Sequence, residues 1–217
     1  MKNPYRLVVF DWEGTLSDTL GQILNVIVSE SKRMEFGHVD LDVARRSIVL
    51  GPVVTLKKLF PHLSAQQQSD LLQAAQHAML SNSDEICIAP GARDLLHAIK
   101  QAGIQLAIAT NKGQQSLMRD LDASKLSSLF DVTRSASQTP PKPCPQMLEE
   151  IMAECGVLPE ETLMVGDSVS DIEMAVQVSV RAIGVDFYNQ NEPSLRAAGA
   201  DDVFDCFQQL ADYLELS

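Results

Sequence analysis

A set of polar side chains follows short apolar runs along this 217-residue chain: Asp11, Glu13, Thr110, Asn111, Lys142, Asp167 and Asp171. Most of them are carboxylates, which raise each other's pKa when they are held close together, and a divalent cation removes that conflict. A ligand set made only of oxygen suits Mg²⁺, which usually keeps waters and uses one or two carboxylates. If the fold brings these residues together, the set predicts a Mg²⁺ site with a lysine beside it.

The apolar runs that precede these residues indicate buried parallel strands, because they are short, continuous and rich in β-branched residues. Each of the three clearest runs is followed at once by a polar turn, DWEGT, TNKG or GDSVSD. These three runs are Leu7–Phe10, Leu106–Ala109 and Leu163–Val165. A fourth run is Arg181–Val185, and a short fifth run is Asp131–Ser135.

Helical patterns lie between these strands: one is opened by Pro90 and closed by Gly103, and two others are Pro145–Cys155 and Ser168–Val178. Strands that alternate with helices predict an α/β fold, a Rossmann-like parallel sheet with helices on both faces. Ligands of such open sheets bind outside the carboxyl ends of the strands. The polar residues follow those ends, so the fold would gather them at one edge of the sheet.

Residues 16–86 interrupt the alternation, since they contain helical patterns and no convincing strand. One pattern runs from Leu20 to Val28, and another from Leu71 to Met79 is entered through Ser64, a good N-cap residue. We therefore expect a helical cap of residues 16–86, inserted into an α/β catalytic core of residues 1–15 and 87–217.

Charge and composition exclude several partners. The net charge is -12, with 17 Lys and Arg against 29 Asp and Glu, which argues against nucleic acid or an anionic membrane because phosphate contacts need clustered cations. No run approaches the ~18 apolar residues of a membrane span, and the first residues lack a secretory pattern, so a cytoplasmic location is expected. The 4 cysteines and 4 histidines are scattered and predict no metal site of their own.

Four segments of the chain, VVFDWEGTLSDT, LAIATNKG, KPCPQML and MVGDSVSDIEMA, resemble the ordered motifs of the haloacid dehalogenase superfamily. The motif spacing and the helical insertion resemble its phosphoglycolate-phosphatase-like branch. The resemblance covers nearly the whole chain, and it implies an enzyme, a phosphoric monoester hydrolase acting on a small phosphorylated metabolite.

The resemblance also implies roles for the carboxylates. Asp11 would attack phosphorus and form an aspartyl phosphate that water then cleaves, which divides one difficult step into two easier ones. Mg²⁺ would be held by Asp11, by the backbone carbonyl of Glu13 and by Asp167. Asp171 would contribute to the metal site directly or through water.

The remaining motif residues would handle the transferring phosphoryl group. Thr110 and the backbone N–H of Asn111 would bind its oxygens. Lys142 would neutralise charge on that group and on Asp11.

Each residue also has an ordinary structural explanation. The DWEGT segment could be only a turn, with Gly14 at positive φ, and Thr110 could be a helix N-cap. Lys142 could be an exposed loop residue, and Asp167 and Asp171 could be favourable charges in the first turn of a helix. These explanations would have to account for four motifs in order, which favours the functional interpretation.

Glu13 departs from the resemblance, because phosphatases of the superfamily carry Asp there as general acid and base. Its intrinsic pKa differs little, about 4.3 against 3.9, but the extra methylene moves the carboxyl by about 1 Å, which can cost around a hundredfold in rate. Two alternatives to a phosphatase stay open, and Glu13 favours only the second of them. One is a phosphotransferase or mutase of the same fold, and the other is a weakly active relative that binds a phosphorylated metabolite.

Overall fold

The computed structural model of the chain describes residues 4–81 and 86–216. The chain divides into two compact units, the first formed by Met1–Ser17 with Ile88–Ser217 and the second by Asp18–Cys87. In the first unit Ser17 forms an antiparallel bridge with Ile88, at the two points where the intervening segment leaves and returns. This division falls close to the boundaries predicted for core and cap, and the cap role itself stays a prediction.

The first unit is built on a six-stranded parallel sheet with the order β3-β2-β1-β4-β5-β6. Its strands are β1 Leu7–Phe10, β2 Gln105–Thr110, β3 Val132–Ser135, β4 Thr162–Gly166, β5 Arg181–Val185 and β6 Asp202–Phe204. Strand β1 lies at the centre and pairs with both β2 and β4. The chain therefore changes direction across the sheet at β1, and the crevice beside such a switch point is where open α/β sheets bind ligands.

The described residues also contain ten α-helices. The second unit contains α1 Thr19–Arg33, α2 Leu41–Ile48, α3 Pro52–Leu59 and α4 Ala65–Ser81. The first unit contains α5 Ala92–Gln101, α6 Gln114–Ser124, α7 Gln146–Cys155, α8 Val169–Gln177, α9 Glu192–Ala198 and α10 Phe207–Tyr213.

The sheet is covered on both faces, as the alternation of elements predicted. Side chains alternate along β1, and its residues Leu7 and Val9 join a buried cluster with α7, α8 and α9. Phe10 points to the other face, where its ring meets that of Phe207 in α10 edge-on at 6.5 Å. All four residues of β1 are fully buried, which explains why the strand reads as a continuous apolar run rather than an alternating one.

The elements of the second unit, in its described part, are all helices. The Asp18 side chain accepts a hydrogen bond from Gly21 N at 2.8 Å and caps α1. Ser64 Oγ accepts from Gln67 N at 3.3 Å, which confirms the predicted cap of α4. Over the described residues, no helix combines the length and apolar character that crossing a membrane would require.

Candidate active site

The candidate site lies at the carboxyl ends of the central strands. Asp11 follows β1 directly, and its N–H continues the sheet by donating to Val165 O at 2.9 Å. Thr110 is the last residue of β2, Asp167 follows β4, and Asp171 lies in the first turn of α8. Asp11 is 6% exposed and Asp171 is fully buried, so charged groups have been placed where water cannot solvate them.

Lys142 is the cation of this buried group. Its Nζ lies 2.7 Å from Asp11 Oδ1 and 2.6 Å from Asp171 Oδ1, and it donates to Ala109 O at 3.1 Å. The residue is only 6% exposed. The alternative of an exposed loop lysine is therefore wrong.

Asn111 fixes the loop that supplies this lysine. Its Oδ1 accepts from Lys142 N at 2.8 Å, and its Nδ2 lies 3.5 Å from Lys142 O as a long donor. Sequence reasoning considered only the backbone N–H of Asn111. The side-chain contact joins residues 31 positions apart, so no local pattern could have indicated it.

Asp11 Oδ1 is a buried oxygen without a hydrogen bond among the described residues, although Lys142 Nζ is close. The two side chains form a buried ion pair. A buried carboxylate oxygen left in this state is costly. Oxygens of Asp11, Asp167 and Asp171 also lie within 4.8 Å of one another. An orphaned oxygen in a cluster of carboxylates fits a bound divalent cation.

The crowding and burial of these carboxylates raise the pKa values of two of them. Burial, followed by the charge of Asp171, raises the pKa of Asp11 to about 7, against the opposing effect of Lys142. Burial and Asp171 likewise raise the pKa of Asp167 to about 6. Burial alone would lower the pKa of Lys142, but its two carboxylate partners outweigh burial and raise it. One lysine does not balance these carboxylates, and a further cation is favoured.

Both carboxylate oxygens of Asp171 accept hydrogen bonds. While Oδ1 meets Lys142, Oδ2 accepts from Ser168 Oγ at 2.7 Å and from Ser168 N at 3.1 Å. The two residues form a capping box at the start of α8. The first-turn explanation of Asp171 is thus correct, and the same side chain also contacts Lys142. Ser168 was not singled out from the sequence, although its spacing before Asp171 is that of a capping box.

Asp167 sits against the DWEGT segment. Gly14 has a φ of 81°, and a Cβ there would lie 2.2 Å from Asp167 Oδ2. Thr15 Oγ1 donates to Asp167 Oδ1 at 3.1 Å. The predicted positive-φ turn at Gly14 is therefore confirmed, and it also makes room for the carboxylate. Thr15 is a site residue that sequence reasoning missed.

Thr110 is not a helix N-cap, because α6 begins at Gln114 with Gly113 before it. Its Oγ1 accepts from Lys112 N at 3.1 Å, and the residue is 1% exposed. A hydroxyl that accepts one hydrogen bond still has its own proton to donate.

Glu13 lies apart from the buried carboxylates. Its side chain is 55% exposed, and Oε1 lies 2.8 Å from Lys112 Nζ. The set of carboxylates that could share a metal does not include its side chain, as far as the described residues show. The structure brings Asp11, Lys142, Asp167 and Asp171 together, and pairs Glu13 with a lysine that sequence reasoning had not considered.

Comparison with known proteins identifies the family of the chain. A family model described as haloacid dehalogenase-like hydrolase matches residues 8–185. A phosphoglycolate phosphatase of Pseudomonas putida is 29% identical over 198 residues, covering 87% of this chain and 72% of its own.

Two solved structures share the fold. A haloacid dehalogenase family hydrolase of Deinococcus radiodurans, with bound phosphate and sodium, superposes with a TM-score of 0.67 at 22% identity, covering 99% of this chain and 97% of its own. CbbY of Rhodobacter sphaeroides, in complex with xylulose-1,5-bisphosphate, has a TM-score of 0.61 at 24% identity, covering 95% and 96%. With the family match over most of its length, the chain belongs to the haloacid dehalogenase-like hydrolases.

Proposed function

We propose that this phosphoric monoester hydrolase cleaves a small phosphorylated metabolite in a Mg²⁺-dependent reaction, with Asp11 as the nucleophile. The observation that carries the proposal is the buried Asp11 carboxylate, which has one orphaned oxygen and lies 2.7 Å from Lys142 at the centre of the sheet edge. A group in that position is shielded from water and sits where an open α/β sheet binds ligands.

Asp11, the backbone carbonyl of Glu13 and Asp167 would hold the metal ion. Asp171 would contact the metal ion through a water molecule, because both of its carboxylate oxygens already accept hydrogen bonds from Lys142 and Ser168. When bound, Mg²⁺ supplies positive charge against the carboxylates and the phosphoryl oxygens.

In the first step a carboxylate oxygen of Asp11 forms a bond to phosphorus, and the ester P–O bond breaks. Glu13 gives its proton to the departing alkoxide. In the second step Glu13 takes a proton from water, the water oxygen bonds to phosphorus, and the Asp11–phosphorus bond breaks to release phosphate. Lys142 favours the ionised form of Asp11, against the burial that raises its pKa.

The phosphoryl group would be bound by the Thr110 hydroxyl and by the backbone N–H of Asn111. The burial of Thr110 at the end of β2 supports this role, because its hydroxyl is held in one place by Lys112 N. Donors fixed before the reaction stabilise developing charge without reorganising.

Phosphoglycolate is the first substrate to test, because a relative that covers most of this chain is named for it. A sugar phosphate is the second, since a protein of the same fold binds xylulose-1,5-bisphosphate. We further propose that the helical unit Asp18–Cys87 is a cap that selects the substrate. No role for nucleic acid or membrane is proposed, and the cytoplasmic location stays a prediction.

The contact between Glu13 and Lys112 favours a second candidate, a weakly active protein that binds a phosphorylated metabolite. If the pair persists while substrate is bound, Lys112 keeps the Glu13 carboxylate away from the leaving group and the water. This candidate predicts substrate binding with turnover far below that of the family's enzymes.

Phosphate release from a panel of phosphorylated metabolites, measured with Mg²⁺ and with excess EDTA, tests both candidates. The phosphatase proposal expects turnover of at least one small monoester that EDTA abolishes and that Asp11→Asn lacks. Binding without turnover, detected by calorimetry with the same panel, would favour the second candidate.

A further inference from the structure

Lys112 joins Glu13 to a small network on the first unit. Its Nζ lies 2.8 Å from Glu13 Oε1 and 3.2 Å from Asp120 Oδ2. The same Asp120 oxygen accepts a hydrogen bond from Trp12 Nε1 at 3.0 Å. Trp12 is the residue directly before Glu13, so the network returns to the segment where it began.

All members of this network except Glu13 are held in place. Trp12 is fully buried, and the Asp120 and Lys112 side chains are only 16% and 20% exposed. The backbone N–H of Lys112 is bonded to Thr110 Oγ1. Hydrogen bonds to Glu13 and Asp120 outweigh burial and raise the pKa of Lys112, which therefore stays charged. Glu13 is 55% exposed and is the member able to move.

The contact depends on the length of the Glu13 side chain. An aspartate would be shorter by one carbon–carbon bond, about 1.5 Å, and from the same backbone position its carboxylate would fall short of Lys112 Nζ. Exposed ion pairs are weak, so Glu13 can leave Lys112 for the substrate and return. A weak contact of this kind favours one position of the Glu13 side chain without preventing its motion.

We propose that Lys112 is a positioning residue, which holds the Glu13 carboxylate in orientation for proton transfer and so compensates for the extra methylene. The proposal rests on the proposed function, in which Glu13 is the general acid and base. Lys112 acts through Glu13 and does not itself contact the substrate.

The test uses steady-state kinetics of the full chain with an alkyl phosphate and with p-nitrophenyl phosphate. Lys112→Met should lower kcat/KM for the alkyl ester by about tenfold to a hundredfold, because proton transfer to the leaving group is misaligned. The kcat/KM for the aryl ester should change little, since p-nitrophenolate leaves without a proton. Its kcat and KM should fall together, because dephosphorylation still needs the base.

Companion variants separate positioning from folding. Lys112→Arg keeps the charge and the donors and should restore most of the alkyl activity. Asp120→Asn keeps an acceptor for Trp12 but weakens the anchor of Lys112, and should give a smaller loss of the same kind. Lys100→Met removes another lysine paired with a carboxylate at 2.8 Å, Asp131, and should leave the kinetics unchanged.

The decisive measurement is the coupling of Lys112 with Glu13. In a Glu13→Asp background, Lys112→Met should have little further effect, because the shorter side chain does not reach it. Equal losses in both backgrounds would overturn the proposal, as would a raised KM for both esters, which would make Lys112 a substrate ligand. A faster Lys112→Met enzyme would also overturn it, because the lysine would then be holding Glu13 back.

Failure of this proposal and failure of the proposed function give different results. If wild type hydrolyses both esters and Asp11→Asn hydrolyses neither, the phosphatase proposal stands whatever Lys112→Met does. If wild type hydrolyses no ester, both proposals fail together.

Discussion

Lys142 Nζ lies 2.7 Å from Asp11 Oδ1, yet that oxygen accepts no hydrogen bond within residues 4–81 and 86–216. The lysine directs hydrogen bonds to Asp171 Oδ1 and Ala109 O instead. Asp11 is thus attracted to a cation without having its oxygen occupied by a donor. This pairing favours the ionised form of Asp11, which is the form able to attack phosphorus.

Replacing Asp11 by Asn should abolish turnover while the protein remains folded. The amide has nearly the same shape but does not form an aspartyl phosphate. We expect phosphate release to fall to background with every ester, and circular dichroism to be unchanged. Substantial activity in the purified variant would show that Asp11 is not the nucleophile.

The metal-free protein should lose stability as the pH rises from about 4 to about 7. The pKa of Asp11 is raised from 3.8 to about 7 and that of Asp167 from 3.8 to about 6. The folded protein therefore binds more protons than the unfolded chain in this window, and its advantage is full below the window and lost above it. Thermal unfolding in EDTA at successive pH values measures the effect.

Two controls accompany this measurement. Asp11→Asn should flatten part of the slope, whereas Asp94→Asn, which changes an exposed aspartate of α5, should leave the slope unchanged. Mg²⁺ should raise the unfolding temperature most at the upper end of the window, where the ligands are ionised. A flat profile for the wild-type protein in EDTA would contradict the description of the cluster.

Gly14→Ala should weaken Mg²⁺ binding and activity beyond its effect on the backbone. The residue has a φ of 81°, and the added Cβ would meet Asp167 Oδ2 at 2.2 Å. Gly103→Ala is the matched control, because Gly103 has a φ of 77° with nothing within 4 Å of a Cβ. Both variants should lose about 1–3 kcal/mol from backbone strain, but only Gly14→Ala should need more Mg²⁺ for half-maximal activity. Equal Mg²⁺ requirements would separate Gly14 from the metal site.

Glu13→Gln should lose about 10²–10⁴-fold in kcat for alkyl phosphates, the usual contribution of a positioned acid or base. With p-nitrophenyl phosphate the first step should be affected less than the second, so a burst of nitrophenolate should precede slow turnover. Stopped-flow absorbance measures the burst. If Glu13→Gln matches wild type on alkyl phosphates, Glu13 is not the acid and base.

The parallel sheet could be predicted because its central strands are buried on both faces and leave continuous apolar runs, as at Leu7–Phe10 and Leu163–Val165. Strand β6 was missed because Asp202–Phe204 is a three-residue edge strand whose residues are only partly buried. The convergence of Asp11 and Asp171 followed from topology, since residues that follow the ends of parallel strands share one edge.

The side-chain contacts of the site could not be predicted in the same way. Asn111 supports Lys142 across 31 residues, and Lys112 reaches Glu13 across 99. Each contact depends on where a loop places its backbone and on which rotamer the side chain adopts. Periodicity and strand order carry no information on either.

The bridge between Ser17 and Ile88 affects how the segment between them can change in evolution. Because the chain leaves and re-enters the first unit at paired residues, the two ends of the intervening segment lie side by side. Closing a longer or shorter loop between such ends costs only a logarithmic change in entropy. Evolution can therefore lengthen, trim or exchange residues 18–87 while Asp11, Lys142 and Asp167 stay in register, so new selectivity could arise by recombination at this junction.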